Sequence, residues 1–187
     1  MAGWLKALII TLSVVVGIAL ILALVIYLIF RAMRNMGKIV EFNNTPLEPD
    51  EQVIGDGEKK AIIIYQPSKK GGTTDIVGAI KEVLADYTVT VNYPSEKLEY
   101  NLNDYDLIVF GSAIYALHPS ECMIEYAQSQ KLENKDVFVF VTGLHPEEKE
   151  GLEELKNAVG GINNVFGIKV QKTQFDEVKR FLSEKIS

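Results

Sequence analysis

The chain has 187 residues, 48% of them hydrophobic, with one cysteine and a formal net charge of −6. That length holds one domain of ordinary size and little else. One cysteine excludes an internal disulfide and so a stapled secreted scaffold, and a pI near 5.0 argues against a nucleic-acid partner. The composition is unevenly placed, however. The first 30 residues hold one charge, Lys6, whereas residues 31–187 carry 18 Lys and Arg against 25 Asp and Glu. An oily segment precedes an acidic domain.

Ala7 to Phe30 runs for 24 residues without a charge. As a helix rising about 1.5 Å per residue it reaches ~36 Å, enough for a ~30 Å hydrocarbon core with some tilt. A secretory signal would have an apolar region of only ~7–15 residues ending in small residues. This run is longer and ends in Leu28-Ile29-Phe30-Arg31. Residues 7–30 therefore read as a single-pass anchor, within an anchor region of 1–37. Arg31, Arg34 and Lys38 follow the span and only Lys6 precedes it, so the positive-inside rule places the C-terminal domain in the cytoplasm. Residues 38–58, with Pro46, Pro49, Gly55 and Gly57 among acidic side chains, read as a flexible acidic linker.

Residues 59–187 alternate apolar runs with helical patterns. The runs are Ala61–Tyr65, Val89–Val91, Leu107–Phe110, Val137–Val141 and, more weakly, Phe166–Val170. Unbroken apolar stretches such as Ile62-Ile63-Ile64 suit strands buried on both faces. Helical faces are marked by Ile76, Val77, Ile80 and Leu84, then by Met123, Ile124, Tyr126 and Ala127 after Pro119. Leu152, Leu155 and Val159 mark a third, and Phe175, Val178, Phe181 and Leu182 a fourth. Only Pro94–Asp104 lacks a helix where the alternation wants one. The pattern predicts an α/β, doubly wound parallel sheet, whose ligands bind at the carboxyl ends of the strands.

Three loops leave that edge. The first, after Tyr65, contains Ser68-Lys69-Lys70-Gly71-Gly72-Thr73. Converging backbone N–H groups, a helix N-terminus near Thr73, two lysines and several hydroxyls make it a candidate phosphate cradle. The alternative is an ordinary turn with a threonine N-cap. It is neither a Walker loop nor a GxGxxG fingerprint. The second loop, Gly111-Ser112-Ala113-Ile114-Tyr115-Ala116-Leu117-His118-Pro119, admits a flat ligand close to its backbone, with Tyr115 against the ligand's face. The third is Thr142-Gly143-Leu144-His145-Pro146.

These residues resemble the flavodoxin family, and particularly the branch that includes the flavodoxin-like protoporphyrinogen oxidases. The family's phosphate loop follows Ser/Thr-x-Thr-Gly-x-Thr; Ser68, Gly71 and Thr73 match it, and Lys70 replaces the middle threonine. Asp104-Tyr105-Asp106-Leu107-Ile108-Val109-Phe110-Gly111-Ser112 with Ile114-Tyr115 is the most specific match, and Thr142-Gly143 would begin the second ring-binding loop. His118-Pro119 stands where those oxidases carry a His-Pro pair. The resemblance implies a flavodoxin-like five-stranded sheet in the order 2-1-3-4-5, non-covalent FMN and electron transfer. It implies a phosphate site at Ser68, Lys69, Lys70, Gly71, Gly72 and Thr73, and a ring site at Ser112, Ala113, Ile114, Tyr115, Thr142 and Gly143. Lys70 trades a hydroxyl donor for a charge that can neutralise phosphate, and the third loop lacks the aromatic residue that often covers the flavin.

The other constellations read blandly. His118 and His145 lack the companions a metal site needs. Cys122 has no following arginine for a phosphatase loop, and no Gly-x-Ser-x-Gly elbow occurs. Gln66 and Pro67 occupy the place where receiver domains carry acids. Glu147-Glu148 and Glu153-Glu154 form a solvated face that would also suit a basic redox partner. The expected function is a membrane-tethered FMN protein passing electrons to or from a redox protein or a quinone. The alternatives are a flavodoxin-fold interaction module without FMN, and a protoporphyrinogen-oxidase-like flavoenzyme.

Overall fold

The computed structural model describes residues 2–186. Its first helix, α1 (Ala2–Asn44), is continuous, and the chain separates after Ile39 into two compact units. The first unit is helix alone. Its apolar stretch has a mean hydropathy of 3.1 with none of that window buried, so it is long and apolar enough to cross a bilayer.

The second unit is an α/β layer structure. Strands β1 (Gln52–Ile54), β2 (Lys59–Tyr65), β3 (Tyr87–Asn92), β4 (Leu107–Ala113), β5 (Asp136–Thr142) and β6 (Asn164–Val170) form one sheet in the order β1-β3-β2-β4-β5-β6. β2 to β6 are parallel, and their arrangement is the expected 2-1-3-4-5. Helices α2 (Gly72–Val83) and α5 (Phe175–Ile186) cover one face; α3 (Glu121–Ser129) and α4 (Glu150–Ala158) cover the other.

The period-two alternation of a strand sorts the apolar runs between these layers. Ala61, Ile63 and Tyr65 pack with Ile76, Ile80, Val178 and Leu182. Ile62 and Ile64 pack with Met123, Ala127, Leu152 and Leu155. Phe138 and Phe140 point to the first layer, Val137, Val139 and Val141 to the second. Because neither side meets water, β4 is buried at every position, which is why it reads as unbroken apolar sequence.

Two sequence expectations need correction. The sheet has six strands, and residues 38–58 are not a uniform linker: α1 extends to Asn44, and β1 pairs antiparallel with β3 through Gln52, Val53 and Ile54. The glycines that read as linker signals have a packing reason instead. A Cβ on Gly57 would lie 1.9 Å from the Asp86 carbonyl oxygen, and one on Gly55, at φ +80°, would lie 2.3 Å from that of Tyr87. The chain passes directly against the start of β3 and tolerates no side chain there. Helix α3 begins at Glu121, two residues beyond Pro119.

The crossover from β3 to β4 has no α-helix, only a short 3-10 turn at Leu102–Asp104. The Asn101 side chain accepts from Asn103 N–H there, the local bonding that draws asparagine out of helices. Leu98, Tyr100 and Leu102 still pack onto the α3 layer. Between this loop and α3 lies an open cavity of about 510 Å³, whose walls include Pro46, Leu98 and Tyr126.

Candidate functional site

The carboxyl ends of β2, β4 and β5 bring the three predicted loops to one edge of the sheet, with Tyr65 beside Gly111 and Ala113 beside Thr142. The first loop turns at Ser68, whose carbonyl accepts from Gly71 N–H at 2.9 Å and whose hydroxyl accepts from Thr73 N–H at 3.2 Å. Gly71 adopts φ +78°, a left-handed conformation that glycine takes without penalty, and nothing lies within 4 Å of where a Cβ would be. The first intrahelical bond of α2 is Asp75 N–H to the Gly71 carbonyl. Among the described residues the N–H groups of Gly72 and Thr74 have no acceptor, as expected for the first turn of a helix. Lys69 and Lys70 are exposed beside them. Open space, free donors, the helix dipole and two ammonium groups together suit a phosphate dianion.

Thr73 plays a different part from the one expected. It is fully buried, and its hydroxyl lies 3.0 Å from that of Thr142, joining the first loop to the third. Ser112 is likewise turned inward: its hydroxyl donates to the Ala113 carbonyl and accepts from Ser120 N–H at 2.8 Å. Ala113 is buried as well. These three position the loops rather than face outward. Gly111 is a glycine because a Cβ there would meet the Phe140 ring at 2.3 Å.

Tyr115 is half-buried and closes a tight turn, exchanging backbone bonds with His118 at 3.0 and 3.1 Å. Ala116 and Leu117, at its tip, both have positive φ, 51° and 75°. Non-glycine residues rarely sit there, so the turn holds backbone strain at this edge. Burial pushes the Tyr115 phenol up, opposed by a hydrogen bond with Ser68 that links the first and second loops. His118 Nδ1 pairs with Glu154 of α4 at 2.9 Å and so holds the turn from its outer side. Ile114 N–H donates to the Thr142 carbonyl and Gly143 N–H to the Val170 carbonyl, which ties the second and third loops to the sheet. Leu144 is 84% exposed at the tip of the third loop, and His145 pairs with Glu147 at 3.3 Å.

A comparison with known protein families matches residues 62–186 to the flavodoxin domain. The chain belongs to that family. No curated protein sequence is significantly similar to it. Among solved structures, the flavodoxin domain is similar to oxidised Flavodoxin 2 from Bacillus cereus, with 23% identity, 68% of this chain and 99% of that one covered, and a TM-score of 0.52. It is also similar to a Streptococcus pneumoniae TIGR4 flavodoxin, with 16% identity, 68% and 99% covered, and a TM-score of 0.52. A mutant Fusobacterium nucleatum flavodoxin, described as bound to flavin mononucleotide, shares 13% identity, 70% and 94% covered, with a TM-score of 0.53. At such identities the likeness establishes the fold.

The flavodoxin domain's edge includes residues that read in the sequence as part of the 38–58 linker. Asn43, Asn44 and Thr45, at the start of this unit, bond into it: the Asn43 carbonyl accepts from Ser120 Oγ at 2.6 Å, Asn44 Oδ1 accepts from Glu121 N–H at 3.1 Å, and the Thr45 carbonyl accepts from Gln66 Nε2 at 3.1 Å. Asn44 thereby caps α3 from far away in sequence. Asn43 Oδ1 and Gln66 Oε1 are buried without a donor. Beside them a cavity of about 340 Å³ lies between Val40, Asn43 and Asn44 on one side and Tyr115 and His118 on the other. Lys169 was also missed; it is only 7% exposed and lies under Gly143. Its signal, a lysine inside the apolar run Phe166–Val170, was visible but reads equally as an outward-facing position.

Proposed function

We propose that this is an FMN-binding flavodoxin-domain protein, held at a membrane by α1 with its domain on the cytoplasmic side, that carries electrons to or from a membrane-associated redox protein or quinone. The observation that carries the reading is the start of α2, where Gly71 leaves open space beside free N–H groups and two lysines. FMN bound to a fold relative supports it. FMN would supply one- and two-electron chemistry. The protein's part is to hold and orient it. Lys69, Lys70 and the amides of Gly72 and Thr74 would hold the phosphate; Ile114, Tyr115 and Gly143 would receive the ring. Thr73, Thr142 and Ser112 keep those loops in register through buried hydrogen bonds.

The tethering rests on an apolar helix whose side chains, Leu20 and Phe30 among them at 67% and 66% exposed, need an apolar surround. The charges at Arg31, Arg34 and Lys38 favour the cytoplasmic side. Tethering would raise the effective concentration of a partner lying in or on the membrane. The acidic surface would favour a basic partner.

Full-length protein in detergent micelles should bind FMN, giving visible flavin absorbance and quenched fluorescence on titration. Absence of uptake would remove the electron-transfer reading. It would favour instead an interaction module on the same fold, which the inward turn of the Thr73 and Ser112 hydroxyls independently suits.

A further inference from the structure

We infer that Lys169 sets how strongly this protein prefers reduced over oxidised flavin, an inference that rests on the FMN reading above. Lys169 lies in β6, paired in parallel register with Val141. It is 7% exposed and is the one charged side chain among the buried described residues. No hydrogen bond or ion pair engages its ammonium among the described residues. Its charge reaches the Glu147 carboxylate only as a minor influence, behind Glu147's own backbone N–H and His145. The stem is covered while the ammonium keeps some contact with water, and a positive charge held at one place favours a negative group brought beside it.

The geometry says where that group would lie. The lysine stem runs beneath Gly143: a Cβ at that position would be 3.1 Å from Lys169 Cε and 4.0 Å from Nζ, and 3.7 Å from Ile114 Cβ. A side chain at Gly143 would crowd this stem. Only one layer of backbone therefore separates the ammonium from whatever rests on the Ile114 and Gly143 loops. Two electrons from dithionite and one proton from solvent convert the neutral oxidised ring into one with a single negative charge, with no bond to the protein made or broken. A positive charge held this close favours the negative form and leaves the neutral form nearly untouched.

The test uses the full chain in micelles. Oxidised FMN affinity is read by fluorescence quenching and the two-electron midpoint by equilibration with a reference dye. Lys169→Gln should bind oxidised FMN within about twofold of the parent and reduced FMN about tenfold more weakly, which lowers the midpoint by ~30 mV. Riboflavin should show the same shift, since the charge acts on the ring and not on the phosphate. Lys169→Arg should restore the midpoint, a rescue that mere packing would not require. If Lys169→Gln fails to fold, Lys169→Met, which keeps the volume and removes the charge, is read in its place. A folded neutral variant with an unmoved midpoint overturns the assignment while leaving FMN binding intact. A parent protein that takes up no FMN overturns both.

Discussion

The hydroxyl oxygens of Thr73 and Thr142 lie 3.0 Å apart, beneath the surface, and join the first turn of α2 to the end of β5. Sequence separates these residues widely, and both were expected to face a ligand. Replacing either with valine leaves its partner buried and unpaired, at a cost of about 1–3 kcal/mol; replacing both removes both polar groups and should cost less than the sum. Urea unfolding of the two single variants and the double variant, followed by near-UV circular dichroism, measures the coupling. Additive losses would mean that the pair does not act as a unit.

Lys69 and Lys70 are exposed at the mouth of the first loop. If they neutralise a phosphate, Lys69→Gln and Lys70→Gln should each weaken FMN binding about tenfold, ~1.4 kcal/mol, and leave riboflavin binding unchanged. Added salt should shrink the difference. Equal losses for both flavins would show that the lysines act on the fold rather than on the phosphate.

The glycines differ in what they forbid. Gly71→Ala meets open space and pays only for its left-handed backbone, about 1–2 kcal/mol. Gly57→Ala would drive a Cβ to 1.9 Å from the Asp86 carbonyl oxygen and must displace backbone, costing about 2–4 kcal/mol. Thermal unfolding midpoints of the two variants should therefore rank with Gly57→Ala the lower.

Burial, with the Glu51 carboxylate bonded to it, pushes the Tyr100 phenol up to about 12. Unfolded, the phenol releases its proton near pH 10. Its folded pKa is the higher, so its contribution to stability is complete below pH 10 and is lost as the pH rises towards 12. Tyr100→Phe should flatten the fall in unfolding free energy across that window and leave its pH dependence near neutrality unchanged.

Cys122 is buried, with Sγ 2.9 Å from Ser120 Oγ, and burial pushes its thiol up. At pH 8 it should react with a thiol reagent at least about a hundredfold more slowly in the native protein than in denaturant. Fast native labelling would show that the α3 flank opens readily.

The parallel sheet was legible because both of its faces are covered, so strands such as Ile62-Ile63-Ile64 lack the polar alternation that obscures half-exposed ones. The three loops followed from those strand ends. β1 was not legible: Gln52-Val53-Ile54 is short, lies among Pro and Gly, and forms only because β3 offers it partners. The inward turns of Thr73 and Ser112 were invisible too, since a hydroxyl in a loop reads alike whichever way it points. The Asn44 cap on α3 depends on contact between segments 77 residues apart, which no local pattern encodes.

The short strand β1 also fixes where the domain can be cut. It occupies the outer rim of β3, where Val89, Thr90 and Val91 would otherwise present unpaired backbone groups. Exposed rims of that kind recruit further chains, and native proteins shield them. A truncated protein beginning at Glu58 would lose this shield, the Asp50–Asn92 bond and the Thr88–Gly57 bond together. It should self-associate where one beginning at Val40 stays monodisperse. The stretch that looks expendable in the sequence is the guard against polymerisation.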